Sequence, residues 1–354
     1  MNSASTARVK EKIRYDIGVH REENKQTLLD SRRGVVVEKD NLSKELTIED
    51  MQNMALEIKR GKQITVKQLK LLENGFLNYL EFIPLFYNVQ GAVDSLLRLA
   101  SSKNEEIQLA AIECFCNMGL GDKKVCFKLT KLIAPYLMMY INHLNFNISA
   151  MSIWTLGNLS DSSPGACKLL QNQNLLGALI DRLENSTCDQ VIFDTFYALK
   201  LFLKNYLYDL PIDDLNKLLY VCYKRLTTWK FSFWIVYQIS CRQDTDLINS
   251  QCMRRLFHAL TEDIIDIECL VPILRTFGNI IAKDSTNRSV SLFLVGLLHE
   301  QGLIIRDILI NNREIDLRDE CAWLLGNTLN SLKANKILLA NTEKFDELCS
   351  YLFF

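Results

Sequence analysis

Proline and glycine are scarce in this chain, whose 354 residues include only 5 prolines and 14 glycines. Because both residues interrupt helices, their scarcity allows most of the chain to be helical and disfavours a sheet-rich or disordered protein. The chain also lacks an excess of either charge, since its formal net charge is −1. This near-neutrality excludes a global electrostatic attraction to nucleic acid or to an anionic membrane, and we expect no nucleic-acid partner.

Catalytic and metal-binding patterns are missing as well. The four histidines lie in separate segments, and none accompanies a serine, cysteine or metal-ligand arrangement of recognisable spacing. The closest cysteines, Cys114 and Cys116, have no histidine or second cysteine pair at zinc-ligand spacing. We therefore predict that the protein is not an enzyme and that it uses no metal and no cofactor.

Segments that direct a protein to a membrane or to secretion are also hard to find. Residues 1–12 are polar and lack the apolar core of a secretory signal. No charged residue lies between Lys131 and Asp161, a span long enough for a membrane helix. Polar residues are too dense there for hydrocarbon, and two antiparallel core helices joined by an asparagine-rich turn at 143–147 account for them. The sequence thus disfavours a membrane span and predicts the cytoplasm and nucleus.

A repeated pattern is present instead. An apolar helix, a polar turn and a longer helix recur, and the longer helix carries a residue pair spaced i, i+4. The pairs are Glu113/Asn117, Trp154/Asn158, Phe196/Lys200, Trp234/Gln238, Arg275/Asn279 and Trp323/Asn327. Their first members are 41, 42, 38, 41 and 48 residues apart. This is the period of armadillo or HEAT repeats.

The pattern predicts an all-α, right-handed superhelical armadillo solenoid of three-helix repeats. Short first helices, such as the one beginning at Pro164, distinguish armadillo from HEAT units. We expect a polar, helical or flexible N-terminal segment over residues 1–60, followed by the solenoid over residues 65–354. The solenoid would contain about six complete repeats, a degenerate N-terminal cap and an incomplete C-terminal repeat.

The paired residues predict a peptide-binding groove. In stacked three-helix units the last helices lie side by side, and residues four apart share one face. Asparagine amides can bond both the donors and the acceptors of an extended peptide, and tryptophan faces accept Lys or Arg side chains. The predicted peptide-binding residues are Asn117, Trp154, Asn158, Trp234, Gln238, Arg275, Asn279, Trp323 and Asn327. An asparagine on an inner helix can also tie neighbouring repeats together, and this structural alternative stays open.

The pairs resemble the tryptophan and asparagine ladder of the importin-α (karyopherin-α) family of nuclear import adaptors. The order of the variants is similar too: Trp154 in a WxLGN segment, Trp234 in WxxxQ, Arg275 in RxxGN, and then Trp323. The resemblance implies an adaptor that binds a basic nuclear-localisation peptide. It also implies an N-terminal segment that binds importin-β, here weakly matched by Arg14, Arg21, Lys25, Arg32 and Arg33. A solvated polar helix explains these residues nearly as well.

Several residues depart from the family's ladder. The repeats on either side of Trp154 carry Glu113 and Phe196 in place of tryptophan. Lys200 occupies an asparagine position, where it would repel a basic ligand. These departures make the chain more similar to the divergent branch of transmembrane and coiled-coil domain-containing protein 6. They also support an alternative function, an armadillo scaffold for a non-basic partner unrelated to import.

Overall fold

The structure is a computed structural model that describes residues 46–61, 63–226, 228–242, 247–248, 250–261, 267–282, 319–324 and 326–327. The chain divides into two compact units, Met1–Thr47 and Ile48–Phe354, and the helices described below belong to the second unit. The predicted importin-β-binding residues, from Arg14 to Arg33, and the predicted C-terminal repeat lie outside the described residues. The predicted boundary between residues 60 and 65 stays a prediction.

Fourteen α-helices have defined bounds. They are α1 Ile48–Lys59, α2 Val66–Asn78, α3 Phe82–Asn88, α4 Ala92–Ala100, α5 Glu105–Met118, α6 Lys123–Tyr140, α7 Phe146–Ser162, α8 Pro164–Gln171, α9 Leu175–Asn185, α10 Asp189–Tyr206, α11 Ile212–Lys224, α12 Phe231–Ser240, α13 Ser250–Thr261 and α14 Ile267–Ala282. A 3₁₀ helix covers Leu207–Asp209, and residues 319–324 and 326–327 are also helical. No residue in this part of the chain is in a strand.

Three-helix units are repeated along the chain. The helices α3, α4 and α5 form one unit, and α8, α9 and α10 form another. Between them, α6 replaces the first two helices with one continuous helix, and after α10 the 3₁₀ helix takes the place of the first helix. The last helix of each unit packs against the last helix of the next, in the order α2, α5, α7, α10, α12 and α14. The predicted all-α armadillo solenoid is therefore confirmed.

Polar side chains fix where the helices of these units begin. Asn104, Asp122, Asn145 and Ser163 each accept a hydrogen bond from a backbone N–H in the first turn of α5, α6, α7 and α8. The capping residue Asn145 lies in the predicted asparagine-rich turn, which joins α6 to α7. Two packed helices thus account for the uncharged interval. In the described residues, no helix has the length and apolar character needed to cross a membrane.

Apolar side chains fill the interior of each unit. Phe76, Phe86, Phe115, Phe196, Phe202 and Phe277 are fully buried. Cysteine sulfurs fill smaller spaces between helices: the thiol of Cys126 donates to the carbonyl of Gly119, and that of Cys167 to the carbonyl of Ser160. Burial raises the pKa of Cys126 to about 11 and that of Cys167 to about 12, so both groups remain thiols.

Candidate binding face on the inner helices

The six predicted pairs lie on six successive last helices. We call α2 and these six last helices the inner helices; the six are α5, α7, α10, α12, α14 and the helical residues 319–324 and 326–327. The pair Trp154/Asn158 lies on α7, Trp234/Gln238 on α12, and Trp323/Asn327 on the last segment. The period read from the sequence therefore corresponds to one inner helix per repeat.

We call the six predicted pairs together the ladder. The amide groups of the ladder form hydrogen bonds with the preceding inner helix. Each donates through its side-chain nitrogen: Asn117 to the carbonyl of Glu73 at 3.1 Å, Asn158 to that of Cys116 at 3.2 Å, Gln238 to that of Lys200 at 2.9 Å, and Asn327 to that of Gly278 at 3.3 Å. Asn279 donates to the hydroxyl of Ser240 at 2.9 Å. These five hydrogen bonds join successive repeats, which matches the structural alternative that the sequence left open.

The Trp154/Asn158 pair is covered by α10. The ring of Tyr197 stacks on Trp154, with centroids 3.9 Å apart and an interplanar angle of 10°. Its hydroxyl donates to Oδ1 of Asn158 at 3.1 Å. Trp154 and Asn158 are each only 3% exposed, and Tyr197 is 5% exposed. The best-preserved pair in the sequence is therefore enclosed between two inner helices.

On helix α10, the residue that faces Trp154 is not the one that the repeat pattern predicts. Phe196, the aligned partner of Trp154, is fully buried and lies beside the ring of Trp229. Its neighbour Tyr197 faces the ladder instead. Farther along the helix, Nζ of Lys200 lies 5.4 Å from the ring centroid of Trp234 on α12. At this distance the ammonium and the indole face attract each other.

The C-terminal copies are partly exposed. Trp234, Gln238, Asn279, Trp323 and Asn327 are neither fully buried nor fully open to solvent. Arg275 belongs to the same C-terminal copies but is buried. Its guanidinium donates a hydrogen bond to Glu320, with Nε 2.7 Å from Oε1. Burial alone would lower the pKa of Arg275, but the Glu320 carboxylate outweighs it and raises the pKa. Arg275 thus remains charged inside an ion pair.

A second cluster of charged residues joins the first two inner helices, α2 and α5. Lys70 on α2 bonds both Glu73, at 3.2 Å, and Glu113 on α5. Burial, followed by the charge of Glu113, raises the pKa of Glu73 from its ordinary value of 4.5 to about 7. The two carboxylates draw the pKa of Lys70 upward in spite of its burial. Glu113, the first member of the predicted Glu113/Asn117 pair, therefore belongs to a contact between repeats.

Two residues that the sequence reasoning missed complete this face. Tyr197 covers Trp154, and Glu320 neutralises Arg275. A signal for Glu320 exists, since it lies about one repeat after Arg275 and carries the opposite charge. Tyr197 is one position away from the ladder register, so an alignment of the pairs passes over it. The predicted peptide-binding role of the nine ladder residues stays a prediction.

Inner helices packed in series, with complete three-helix units at α3–α5 and α8–α10, define an armadillo-type α-solenoid. No known protein family matches the sequence, and no curated protein is similar to it. An engineered protein solved by the Northeast Structural Genomics Consortium is similar in structure, with 16% identity over 86% of this chain and 83% of that one and a TM-score of 0.63. A designed armadillo repeat protein in complex with the peptide (KR)4 has 14% identity over 79% of this chain and 99% of that one, with a TM-score of 0.46. The likeness to the first of these bears on the fold alone.

Proposed function

We propose that this chain is a protein-interaction scaffold that holds an extended segment of a partner along its inner helices and catalyses no reaction. One observation carries the proposal: a partly exposed amide side chain recurs on three consecutive inner helices, as Gln238 on α12, Asn279 on α14 and Asn327 on the last one. Partly exposed tryptophans, Trp234 and Trp323, accompany the first and the third of these amides. Side-chain amides at a regular spacing suit the regular donors and acceptors of an extended backbone. Among the described residues, Oε1 of Gln238 is a buried acceptor that no donor reaches.

The proposed ligand is a peptide with a basic cluster, of the nuclear-localisation type, and the proposed role is that of an import adaptor in the cytoplasm and nucleus. The order of the ladder variants in the sequence supports this proposal. The indole faces of Trp234 and Trp323 offer apolar surface and a site for a cation. The carrier would be importin-β, bound through residues 1–60.

A scaffold for a non-basic partner is the second candidate. The position of Lys200 favours it, because this ammonium already lies over the face of Trp234. A lysine or arginine of a ligand would have to displace Lys200 or accept its repulsion. A neutral or acidic segment would meet neither obstacle.

Fluorescence anisotropy with labelled octapeptides separates these candidates. One peptide alternates lysine and arginine, and a matched peptide replaces each basic residue with glutamate. The proposal expects the full chain to bind the basic peptide more tightly, and expects Trp234→Ala and Trp323→Ala each to weaken binding by about three- to tenfold. Tyr220→Ala, on the exposed surface of α11, is the matched control and leaves the affinity unchanged.

Preference for the glutamate peptide would support the second candidate with an acidic partner, and binding of neither peptide by the full chain would reject a basic and an acidic ligand alike. The carrier proposal has a separate test. The full chain should bind importin-β, and the combined Arg32→Glu and Arg33→Glu substitutions should abolish that binding if the N-terminal segment is responsible. Unchanged binding would remove the carrier role from this segment.

A further inference from the structure

Tyr197 makes the two kinds of contact that a peptide ligand would make with a tryptophan and asparagine pair. Its ring lies flat on Trp154, as the side-chain stem of a bound lysine or arginine would. Its hydroxyl donates to the amide oxygen of Asn158, as a backbone N–H of the ligand would. A residue of the chain itself therefore occupies both halves of this position.

The packing of α7 against α10 holds Tyr197 there. A Cβ atom built on Gly157 would lie 2.9 Å from Cα of Ala198, so the two helices approach more closely than larger residues would permit. Tyr197 adjoins Ala198 in the chain, and the short approach brings its ring to stacking distance from Trp154. Phe193, one turn earlier on α10, lies parallel to the same indole with centroids 6.4 Å apart. Aromatic rings thus fill the space beside Trp154.

Both ends of the Asn158 amide are already hydrogen-bonded in this arrangement. Its nitrogen donates to the carbonyl of Cys116, and its oxygen accepts from Tyr197. A ligand could reach this pair only after the tyrosine ring had moved away. No other ladder tryptophan in the described part of the chain is enclosed to this degree, since Trp234 and Trp323 are partly exposed.

We infer that Tyr197 is a built-in occupant of the Trp154/Asn158 position, and that it determines specificity by excluding cationic peptide side chains there and confining them to the C-terminal copies. This inference rests on the proposed function. Removal of the tyrosine ring converts a closed contact between helices into an additional site for lysine or arginine.

Three variants of the full chain test the inference with the labelled lysine and arginine octapeptide. Tyr197→Ala opens the space beside Trp154, and we expect it to raise the affinity about tenfold. Tyr197→Phe keeps the ring and removes only the hydroxyl, so its affinity should stay within about twofold of the parent. Tyr197→Ala combined with Trp154→Ala removes the surface on which the ligand would lie, and the gain should disappear.

Circular dichroism confirms that each variant folds. If Tyr197→Ala does not fold, Tyr197→Leu keeps an apolar side chain in α10 and should give a smaller gain, about threefold. Equal affinity of the parent and the folded variant overturns the inference. Weakening by Trp323→Ala in the parent reports separately on the proposed function. A gain in Tyr197→Ala without any binding by the parent would uphold the inference and reject the proposed function for the parent chain.

Discussion

The indole ring of Trp323 lies directly over Gly278 of the preceding inner helix, so closely that a Cβ atom built on Gly278 would overlap the ring. The corresponding glycine of α7, Gly157, meets the backbone of Ala198 instead. In both copies the glycine before the ladder asparagine lies in close contact with a residue of the next inner helix. The GN segment of the repeat therefore serves the contact between repeats.

Alanine substitutions at these glycines should differ in their effect on stability. Gly157→Ala places a methyl group against the backbone of Ala198 and should lower the free energy of unfolding by about 2–3 kcal/mol. Gly278→Ala meets a ring that can shift, and about 1–2 kcal/mol is expected. Gly326→Ala meets no described atom within 4 Å and is the matched control. Urea denaturation measures all three, and equal losses would contradict this account of the glycines.

The buried ion pair of Arg275 and Glu320 should contribute strongly to stability. Glu320→Gln leaves a buried guanidinium without its countercharge, and the free energy of unfolding should fall by about 2–3 kcal/mol. The control is Lys217→Ala, which breaks the exposed pair with Asp214 on α11 and should change it by less than about 0.5 kcal/mol. If the two variants lose the same free energy, Arg275 is not held by Glu320 in solution.

The raised pKa of Glu73 predicts a pH-dependent effect. The folded state binds this proton more tightly than the unfolded state, so the contribution of Glu73 to stability is complete below about pH 4.5 and is lost as the pH rises through about 7. The Gln side chain of Glu73→Gln cannot ionise. Its free energy of unfolding should therefore increase by about 2 kcal/mol relative to that of the parent as the pH rises from 4.5 to 8. Urea denaturation at the two pH values measures this difference.

The same experiment in a Glu113→Gln background tests the cause of the shift. Burial and the charge of Glu113 are the two causes that raise the pKa of Glu73. Removal of that charge should therefore reduce the pH dependence of the difference in unfolding free energy. A difference between Glu73→Gln and its parent that does not vary with pH would show that the pKa of Glu73 is the same in the folded and unfolded states.

The repeat and the helices of the solenoid could be predicted from the sequence because they depend on local periodicity. The spacing of the pairs places Trp154, Trp234 and Trp323 on three different inner helices, and Asn145, in the predicted turn at 143–147, marks a helix start that the structure contains. Each of these features is decided within one or two repeats, where helix propensity and capping act.

The state of the binding face could not be predicted in the same way, because it depends on contacts between repeats. The sequence identifies Asn158 as a hydrogen-bonding residue but not its partners, which are Cys116 on one side and Tyr197 on the other. Lys200 was expected to repel a basic ligand, but its position over Trp234 follows only from the packing of α10 against α12.

The central claim is that the Trp154/Asn158 pair joins repeats and does not contact a ligand in the parent chain. One variant, Asn158→Ala, tests it through two readouts: urea denaturation and the anisotropy of the labelled basic peptide. We predict that its free energy of unfolding falls by about 2 kcal/mol, because Cys116 and Tyr197 lose a buried partner, while the folded variant binds the peptide as the parent does. An affinity reduced about tenfold with unchanged stability would contradict the account.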